Sequence, residues 1–320
     1  MSSKDIDITE PGEPELSEVS PGIYAYIQPD GTWWINNTGF LSWRQGVISI
    51  DTCSTERRTQ GYLRAIAGVS RAPIRAVVNT HHHGDHTFGN CLLPAAAIIG
   101  HERTRTEAVA FGPPTKMPVW DGPDWGDLYL DPPFVTFAEG LTLHAGEIRA
   151  EVSYVGMPAH TTNDSIVWIP DRSVLFCGDL IFNGGTPFLL MGSISGAIEV
   201  LESVIAPLGA EIIVPGHGPV IRASGQHSGT APIEANLDYL RFVLEVAARS
   251  HKDGLPPLEA ARRADLGRFG SWPDAERLVG NLHRAYAELD GAPPGVAIDV
   301  PGALADMVAY NGGAPLTCLA

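Results

Sequence analysis

Thr80-His81-His82-His83-Gly84-Asp85-His86 packs four histidines and an aspartate into seven residues, directly after the strand-like run Ile74-Arg75-Ala76-Val77-Val78-Asn79. Imidazole nitrogens and a carboxylate are the ligands a borderline-soft divalent metal prefers, and a strand-to-loop junction aims several of them at one point without ordering a long segment. This stretch is one part of a site rather than the whole. His81, His83, Asp85 and His86 cannot all face one ion and still leave each ion at least three protein ligands.

Three segments further along supply partners. Gly156-Met157-Pro158-Ala159-His160-Thr161 follows the strand-like run from Ile148 to Val155, and Val214-Pro215-Gly216-His217-Gly218-Pro219 follows Glu211-Ile212-Ile213. Leu175-Phe176-Cys177-Gly178-Asp179-Leu180 ends a β-branched and aromatic run on a carboxylate. Alone, His160 or His217 reads more readily as a hydrogen-bonded surface or core residue. Four such segments in order read as a metal site. His82 alternates away from its neighbours in an extended segment and reads as structural. His101, His144, His227, His251 and His283 have no motif context and read likewise.

The series His-x-His-x-Asp-His at 81–86, lone His160, Gly178-Asp179-Leu180 and Pro215-Gly216-His217-Gly218 resembles the motif series of the metallo-β-lactamase fold superfamily, from about Tyr24 to Val220. That resemblance implies an α/β fold, the αββα sandwich, with a metal site at one edge and, here, a helical C-terminal extension. It implies His81, His83 and His160 as ligands of a first metal, Asp85, His86 and His217 as ligands of a second, and Asp179 as the bridge. The implied cofactor is two zinc ions, with iron or manganese as alternatives. A water between the ions is the implied nucleophile, and Asp85 would be catalytic by orienting it. Asp51, ending Val47-Ile48-Ser49-Ile50, matches a family carboxylate position: it either orients a ligand histidine or is a turn or helix-start residue.

A glutamate in place of His83 would suggest the oxygen-reducing diiron branch, and secreted β-lactamases carry export signals that this chain lacks. Having both His86 and Asp179 resembles the glyoxalase II, lactonase and thioesterase group, which implies ester or thioester hydrolysis. More loosely, the segments Tyr26 to Asn37 and Phe182 to Ser193 are similar to those of actinobacterial members that include cyclase/thioesterases of aromatic polyketide pathways. The implied substrate is then a small molecule, a carrier-protein-bound polyketide that undergoes ring closure and thioester release. Trp33 or Trp34 with Phe182, Phe188 and Met191 would wall a flat multi-ring substrate. Plain core packing is the alternative for these side chains. A glyoxalase II-like thioesterase or lactonase is the rival enzyme, and a metal-binding regulatory protein the rival outside catalysis.

Composition bounds these readings. A chain of 320 residues, 44% hydrophobic and 8% aromatic, buries a large core, and one domain with a helical tail is expected. The net charge of −16, without a Lys/Arg cluster, argues against a nucleic-acid partner and the nuclease branch. So does the short interval between Asp179 and His217, which leaves no room for a large inserted domain. No apolar stretch reaches about 18 residues, so no membrane span is expected. Cys53, Cys91, Cys177 and Cys318 lack CxxC spacing and read as reduced thiols of a cytoplasmic protein.

The organisation expected is a flexible leader over 1–21, the metal-binding domain over 22–225, and helices over 226–320 packed on it. Ile23-Tyr24-Ala25-Tyr26-Ile27, a Pro29-Asp30-Gly31 turn and Trp33-Trp34-Ile35-Asn36-Asn37 suggest a hairpin. Thr55 to Val69 reads as a helix capped at Ser54 or Thr55, and Ala197 to Leu208 as another. Ser165-Ile166-Val167-Trp168-Ile169 and Val174-Leu175-Phe176 flank a second hairpin turn. Pro232 to Arg249, Pro257 to Ala264 and Pro273 to Leu289 read as helices that close the cleft, pack against the domain or build a homo-oligomer interface; sequence does not separate these. Gly291 to Ala320, rich in Gly, Pro and Ala, has no assigned structure.

Overall fold

The computed structural model describes residues 12–28, 32–116, 118–223 and 230–320. Seven strands form the first sheet: β1 (Glu15–Ser20), β2 (Ile23–Ile27), β3 (Thr38–Trp43), β4 (Gly46–Ile50), β5 (Ile74–Val78), β6 (Ala97–His101) and β8 (Val135–Phe137), in that order. β1 to β4 form an antiparallel meander, and β4, β5, β6 and β8 run parallel. Every residue of β4 is buried, as a parallel strand covered on both faces should be. The second sheet has the order β14 (Ile221–Arg222), β13 (Ile212–Val214), β12 (Val174–Phe176), β11 (Ser165–Ile169), β10 (Ile148–Tyr154), β9 (Gly140–Ala145). Short β7 (Trp120–Asp121) and β15 (Leu316–Thr317) pair in parallel.

The sheets face each other across a core in which Ile23, Leu41, Ile48 and Val78 of the first meet Ile148, Val152, Val167 and Phe176 of the second. They approach so closely at Gly39 that a Cβ there would overlap the Phe176 ring and the Tyr24 carbonyl oxygen. On the outer face of the first sheet lies helix α1 (Glu56–Val69), its Tyr62 and Ile66 packed on Tyr26, Phe40 and Val47. Thr55 caps it, accepting from the Arg58 N–H at 3.3 Å. Helices α2 (Gly84–Thr87) and α3 (Glu102–Phe111) follow β5 and β6. The outer face of the second sheet, through Ile166, Leu175 and Ile213, packs on α4 (Ile194–Val200), which continues through Leu201–Ile205 and Ala206–Leu208. Helices α5 (Thr230–Lys252), α6 (Pro257–Arg263), α7 (Arg277–Leu289) and α8 (Val300–Tyr310) share that apolar cluster. The order of layers is helix, sheet, sheet, helix, so the α/β sandwich with its helical extension is what the chain forms.

Four local expectations change. The segment 1–21 is not leader throughout: Glu15–Ser20 pairs with β2, and Val19 enters the sandwich core. Residues 1–11 lie outside the described residues. Trp33 to Asn37 is a loop, and the partner of β2 is β3; Trp34 takes φ 65°, which breaks an extended run. The Pro29-Asp30-Gly31 turn also lies outside the described residues. Helix α7 starts at Arg277 rather than Pro273, after Asp274 at φ 59°. Within Gly291 to Ala320, α8 starts where the Asp299 side chain accepts from the Gly302 N–H at 3.0 Å. None of the described helices is long and apolar enough to cross a membrane.

Candidate metal centre and its cavity

The ends of β4, β5, β12 and β13, and the loop from β10 to β11, converge at one edge of the sandwich. Asp51 stands just past β4 at φ 60°, a left-handed conformation that Asp tolerates better than most residues. Its carboxylate accepts from the Thr80 N–H (2.7 Å), the Thr80 hydroxyl (2.8 Å) and His86 Nδ1–H (2.8 Å). With Nδ1–H held by Asp51, His86 turns Nε2 into the site. His160 is fixed in the same way, donating from Nδ1 to the Phe188 carbonyl at 2.6 Å. The Asp164 carboxylate holds its loop by accepting from the Thr161 N–H and hydroxyl, both at 2.7 Å.

Asp179 follows β12 through Gly178 at φ 51°. Gly216, one residue before His217, lies so close to it that a Cβ would overlap Asp179 Oδ1. The glycine of Pro-Gly-His-Gly is therefore a requirement of the site's compactness. Asn37 ties the loop after Trp34 to this segment, donating to the carbonyls of Pro215 (3.0 Å) and Gly218 (2.7 Å).

Asp179 is the shared member of two donor sets. The ligand atoms of His81, His83, His160 and Asp179 lie within 4.8 Å of one another, as do those of Asp85, His86, Asp179 and His217. Asp179 Oδ1 is 3.0 Å from His86 Nε2, while Oδ2 is 3.2 Å from His217 Nε2, 3.4 Å from His160 Nε2 and 4.0 Å from His81 Nε2. Asp85 Oδ2 lies 3.3 Å from His217 Nε2 and 3.6 Å from His86 Nε2. Thus all seven residues expected as ligands meet at one point. His82 does not: its Nδ1 accepts from the Asn163 amide at 3.0 Å, outside both sets.

The electrostatics follow from burying these groups beside one another. Burial opposes ionisation of Asp179, but His217, His86 and His160 hold it well below the usual carboxylate range. Burial likewise works against Asp85, and His86 and the bond from His217 bring it down to about 2. Burial disfavours a charged His86, yet Asp179, Asp85 and Asp51 hold its pKa well above the ordinary value. Burial, reinforced by His86, drives His81 well below.

The residues fit divalent metal ions. Among the described residues, His81 Nε2, His86 Nε2 and Asp179 Oδ1 are buried without a geometrically sound hydrogen bond, and His83 Nδ1 confronts His160 Nε2 at 2.9 Å. A buried orphan of this kind costs about 1–3 kcal/mol. Several aimed at one point are relieved by a cation that takes nitrogen and oxygen ligands.

Above the cluster opens a cavity of about 290 Å³, with His83, Asp85, His160, Asp179 and His217 on its floor. Trp34, Phe182, Phe188 and Met191, the side chains expected at a substrate wall, all border it, as does Trp33. They are mostly buried at the same time, so the core and wall readings are not exclusive. Trp34 is held by its carbonyl, which accepts from the Ser54 hydroxyl (2.7 Å) and Arg58 Nη1 (3.1 Å). Sequence reasoning missed Trp120, Phe111, Leu190 and Arg277, together with Val300, Pro301 and Leu304 of α8. For α8 the signal was present in Asp299 and Pro301, a cap followed by a helix-start proline; for Trp120 and Arg277 no local pattern marks them. The thiols of Cys53, Cys91 and Cys177 are free and buried, and burial pushes the Cys177 thiol up.

A sandwich of two sheets whose edge gathers two donor sets around a common carboxylate defines a metal-binding α/β protein. The family model described as "Metallo-beta-lactamase superfamily" matches residues 31–217, and the chain belongs to that superfamily. It is 30% identical to a hydroxyacylglutathione hydrolase of Rhodospirillum rubrum over 145 residues, 45% of this chain and 48% of that protein. It is 26% identical to an atrochrysone carboxyl ACP thioesterase of Aspergillus fumigatus over 222 residues, 66% of this chain and 60% of that one. Matches to the hydroxyacylglutathione hydrolases span less than half of their length. Among solved structures, a metallo-beta-lactamase from Pontibacter korlensis superimposes with a TM-score of 0.58 at 20% identity, covering 72% of this chain and 99% of that one.

Proposed function

We propose that this protein is a dinuclear metallohydrolase, with two zinc ions in the site, that cleaves a thioester or ester of an aromatic acyl group of the polyketide kind. One observation carries the reading: a carboxylate shared by two histidine-rich donor sets forms the floor of a cavity whose walls are almost wholly aromatic and aliphatic. His81, His83 and His160 would hold one ion, Asp85, His86 and His217 the other, and Asp179 both. Ions bound there supply Lewis acidity toward the acyl oxygen and make water nucleophilic at neutral pH.

The chain's own groups account for the rest. Asp85, held at about 2, stays a carboxylate at neutral pH and can accept a hydrogen bond that orients the attacking water. The Asp51 carboxylate and the Phe188 carbonyl, each accepting from Nδ1–H, orient His86 and His160 so that Nε2 is the atom each would offer to a metal. The aromatic walls exclude bulk water and align a flat acyl group over the floor. Ring closure before release is compatible with the same floor, because ions held there would supply Lewis acidity toward a substrate carbonyl as well.

The names of two relatives, an acyl-carrier-protein thioesterase and hydroxyacylglutathione hydrolases, support thioester cleavage. Among the described residues lining the cavity Arg277 is the sole Arg or Lys, which favours an aromatic acyl group over the polar glutathione moiety. The test is a zinc-loaded preparation assayed side by side on a naphthoyl pantetheine thioester, S-lactoylglutathione, an acyl-homoserine lactone and a β-lactam. The highest kcat/KM is expected on the naphthoyl thioester. Turnover confined to S-lactoylglutathione would replace this reading with the glyoxalase II type, and no turnover at full metal loading would favour a regulatory metal-binding protein.

A further inference from the structure

Arg277, Asn281 and Arg284 share one face of α7 at i, i+4 and i+7, and are 2%, 0% and 1% exposed. All three reach the backbone of one segment, 186–190, which belongs to no strand or helix and so has no ladder to satisfy its polar groups. Arg277 Nη1 donates to the Thr186 carbonyl at 2.9 Å, and Arg284 Nε and Nη2 donate to the Leu190 carbonyl at 3.1 and 2.8 Å. Between them the Asn281 amide spans Phe188. Its Nδ2 donates to the Pro187 carbonyl at 2.8 Å, and its Oδ1 accepts from the Leu189 N–H at 2.8 Å. The same nitrogen donates to the Tyr239 hydroxyl at 3.1 Å.

Attachment of the helix does not require these groups. Leu278, Val279, Leu282 and Ala285 of α7 are each 0% exposed and already seat it in the apolar cluster. Burying two guanidinium groups and an amide beside them carries a desolvation cost that only well-made hydrogen bonds offset. What the polar face adds is a fixed course for 186–190, and that course bears on the metal floor. The Phe188 carbonyl, flanked on both sides by the groups that Asn281 holds, accepts from His160 Nδ1–H at 2.6 Å. His160 Nε2 lies 3.4 Å from Asp179 Oδ2 and 2.9 Å from His83 Nδ1, and His160 belongs to one donor set only. Pro187 offers an acceptor and Leu189 a donor, so the position calls for a side chain with both functions; a carboxylate would lack the donor.

We propose that Asn281 is a positioning residue of the metal centre: by holding the peptide groups on either side of Phe188 it aims the carbonyl that orients His160, and so sets the affinity of the donor set containing His160. The inference rests on the metal-binding reading of the site and is independent of the substrate. It gives the helical extension a share in metal binding, although no member of either donor set lies in it.

The full chain, freed of metal, is titrated with zinc alone against a chelating dye, and two affinities are fitted for the wild type, Asn281→Leu and Tyr239→Phe. Outer partners of ligand histidines are worth about 10–100-fold in affinity, and Asn281 acts through one, so Asn281→Leu should weaken one site about tenfold and leave the other within about twofold. Tyr239→Phe, which spares the bonds to Pro187 and Leu189, should leave both unchanged. A merely structural Asn281 would lower both affinities together or neither, and either result overturns the proposal. Hydrogen exchange in the wild type needs no variant to fold. Because coupling is reciprocal, zinc saturation should slow exchange of the Leu189 N–H about tenfold, and that of the Ala72 N–H, bonded to Ser70 beyond the far end of α1, less than about twofold. Exchange at Leu189 that zinc leaves unchanged, or slows no more than at Ala72, overturns the proposal too. A wild type that binds no zinc would refute the metallohydrolase reading along with this one, whereas two ions held at wild-type affinity by Asn281→Leu would refute this one alone.

Discussion

Replacing Asp51, which belongs to neither donor set but accepts a hydrogen bond from His86 of one, should separate the stability of the fold from the affinity for metal. In Asp51→Asn the left-handed backbone is retained, because Asn tolerates φ near 60° almost as well as Asp. The amide oxygen still accepts from the Thr80 N–H. The amide nitrogen then faces His86 Nδ1 across 2.8 Å, donor against donor, and the imidazole escapes by moving its proton to Nε2. That places a proton 3.0 Å from Asp179 Oδ1, where a metal needs a lone pair. Loss of such an orienting partner costs about 10–100-fold in metal affinity, or about 1.4–2.8 kcal/mol, while the fold loses about 1 kcal/mol. Asp51→Ala should do more to the fold, about 4 kcal/mol, since it orphans the Thr80 N–H and His86 Nδ1–H and puts alanine in a left-handed position. Competition against a zinc-chelating dye, fitted to two sites, reads the affinity; thermal unfolding of the metal-free proteins reads the fold. If Asp51→Asn holds both ions as tightly as the wild type, the hydrogen bond does not set the His86 tautomer and the reasoning fails.

Three further outcomes follow from the geometry. Asp179→Ala should lose metal and turnover together, because one carboxylate serves both sets; unchanged turnover with two ions retained would remove it from the bridge. Gly216→Ala should displace Asp179 and weaken metal retention at a fold cost of about 1–3 kcal/mol, so wild-type metal content in that variant would contradict the close approach seen here. Zinc uptake by the metal-free protein at pH 7 should release protons and weaken as pH falls, because the pKa values of His86 and His217 are raised; binding heats independent of the buffer's ionisation enthalpy would refute this.

How much of this was legible in the sequence depended on whether the information was local. The ligands sit at strand ends with fixed short spacings, so His81 to His86, His160, Asp179 and His217 could be read in order from the chain. The Pro170-to-Ser173 turn between β11 and β12 and the Thr55 cap of α1 were local as well. Trp33 to Asn37 misled because its composition is that of a strand, while its conformation is set by Arg58, 22 residues away, donating to the Asn36 carbonyl at 2.9 Å. Strand β1 escaped because its pairing depends on the open edge of β2 and a single core residue, Val19. Arg277 and Trp120 had no signature at all. Each meets the cavity only after α7 and the β7–β15 pair have packed, and such long-range contacts leave no periodic trace.

The central claim, two ions held around Asp179, is tested most directly by elemental analysis of the purified protein after saturation with zinc and removal of free metal. The account predicts two equivalents per chain in the wild type. A value of one or less at saturation would contradict it.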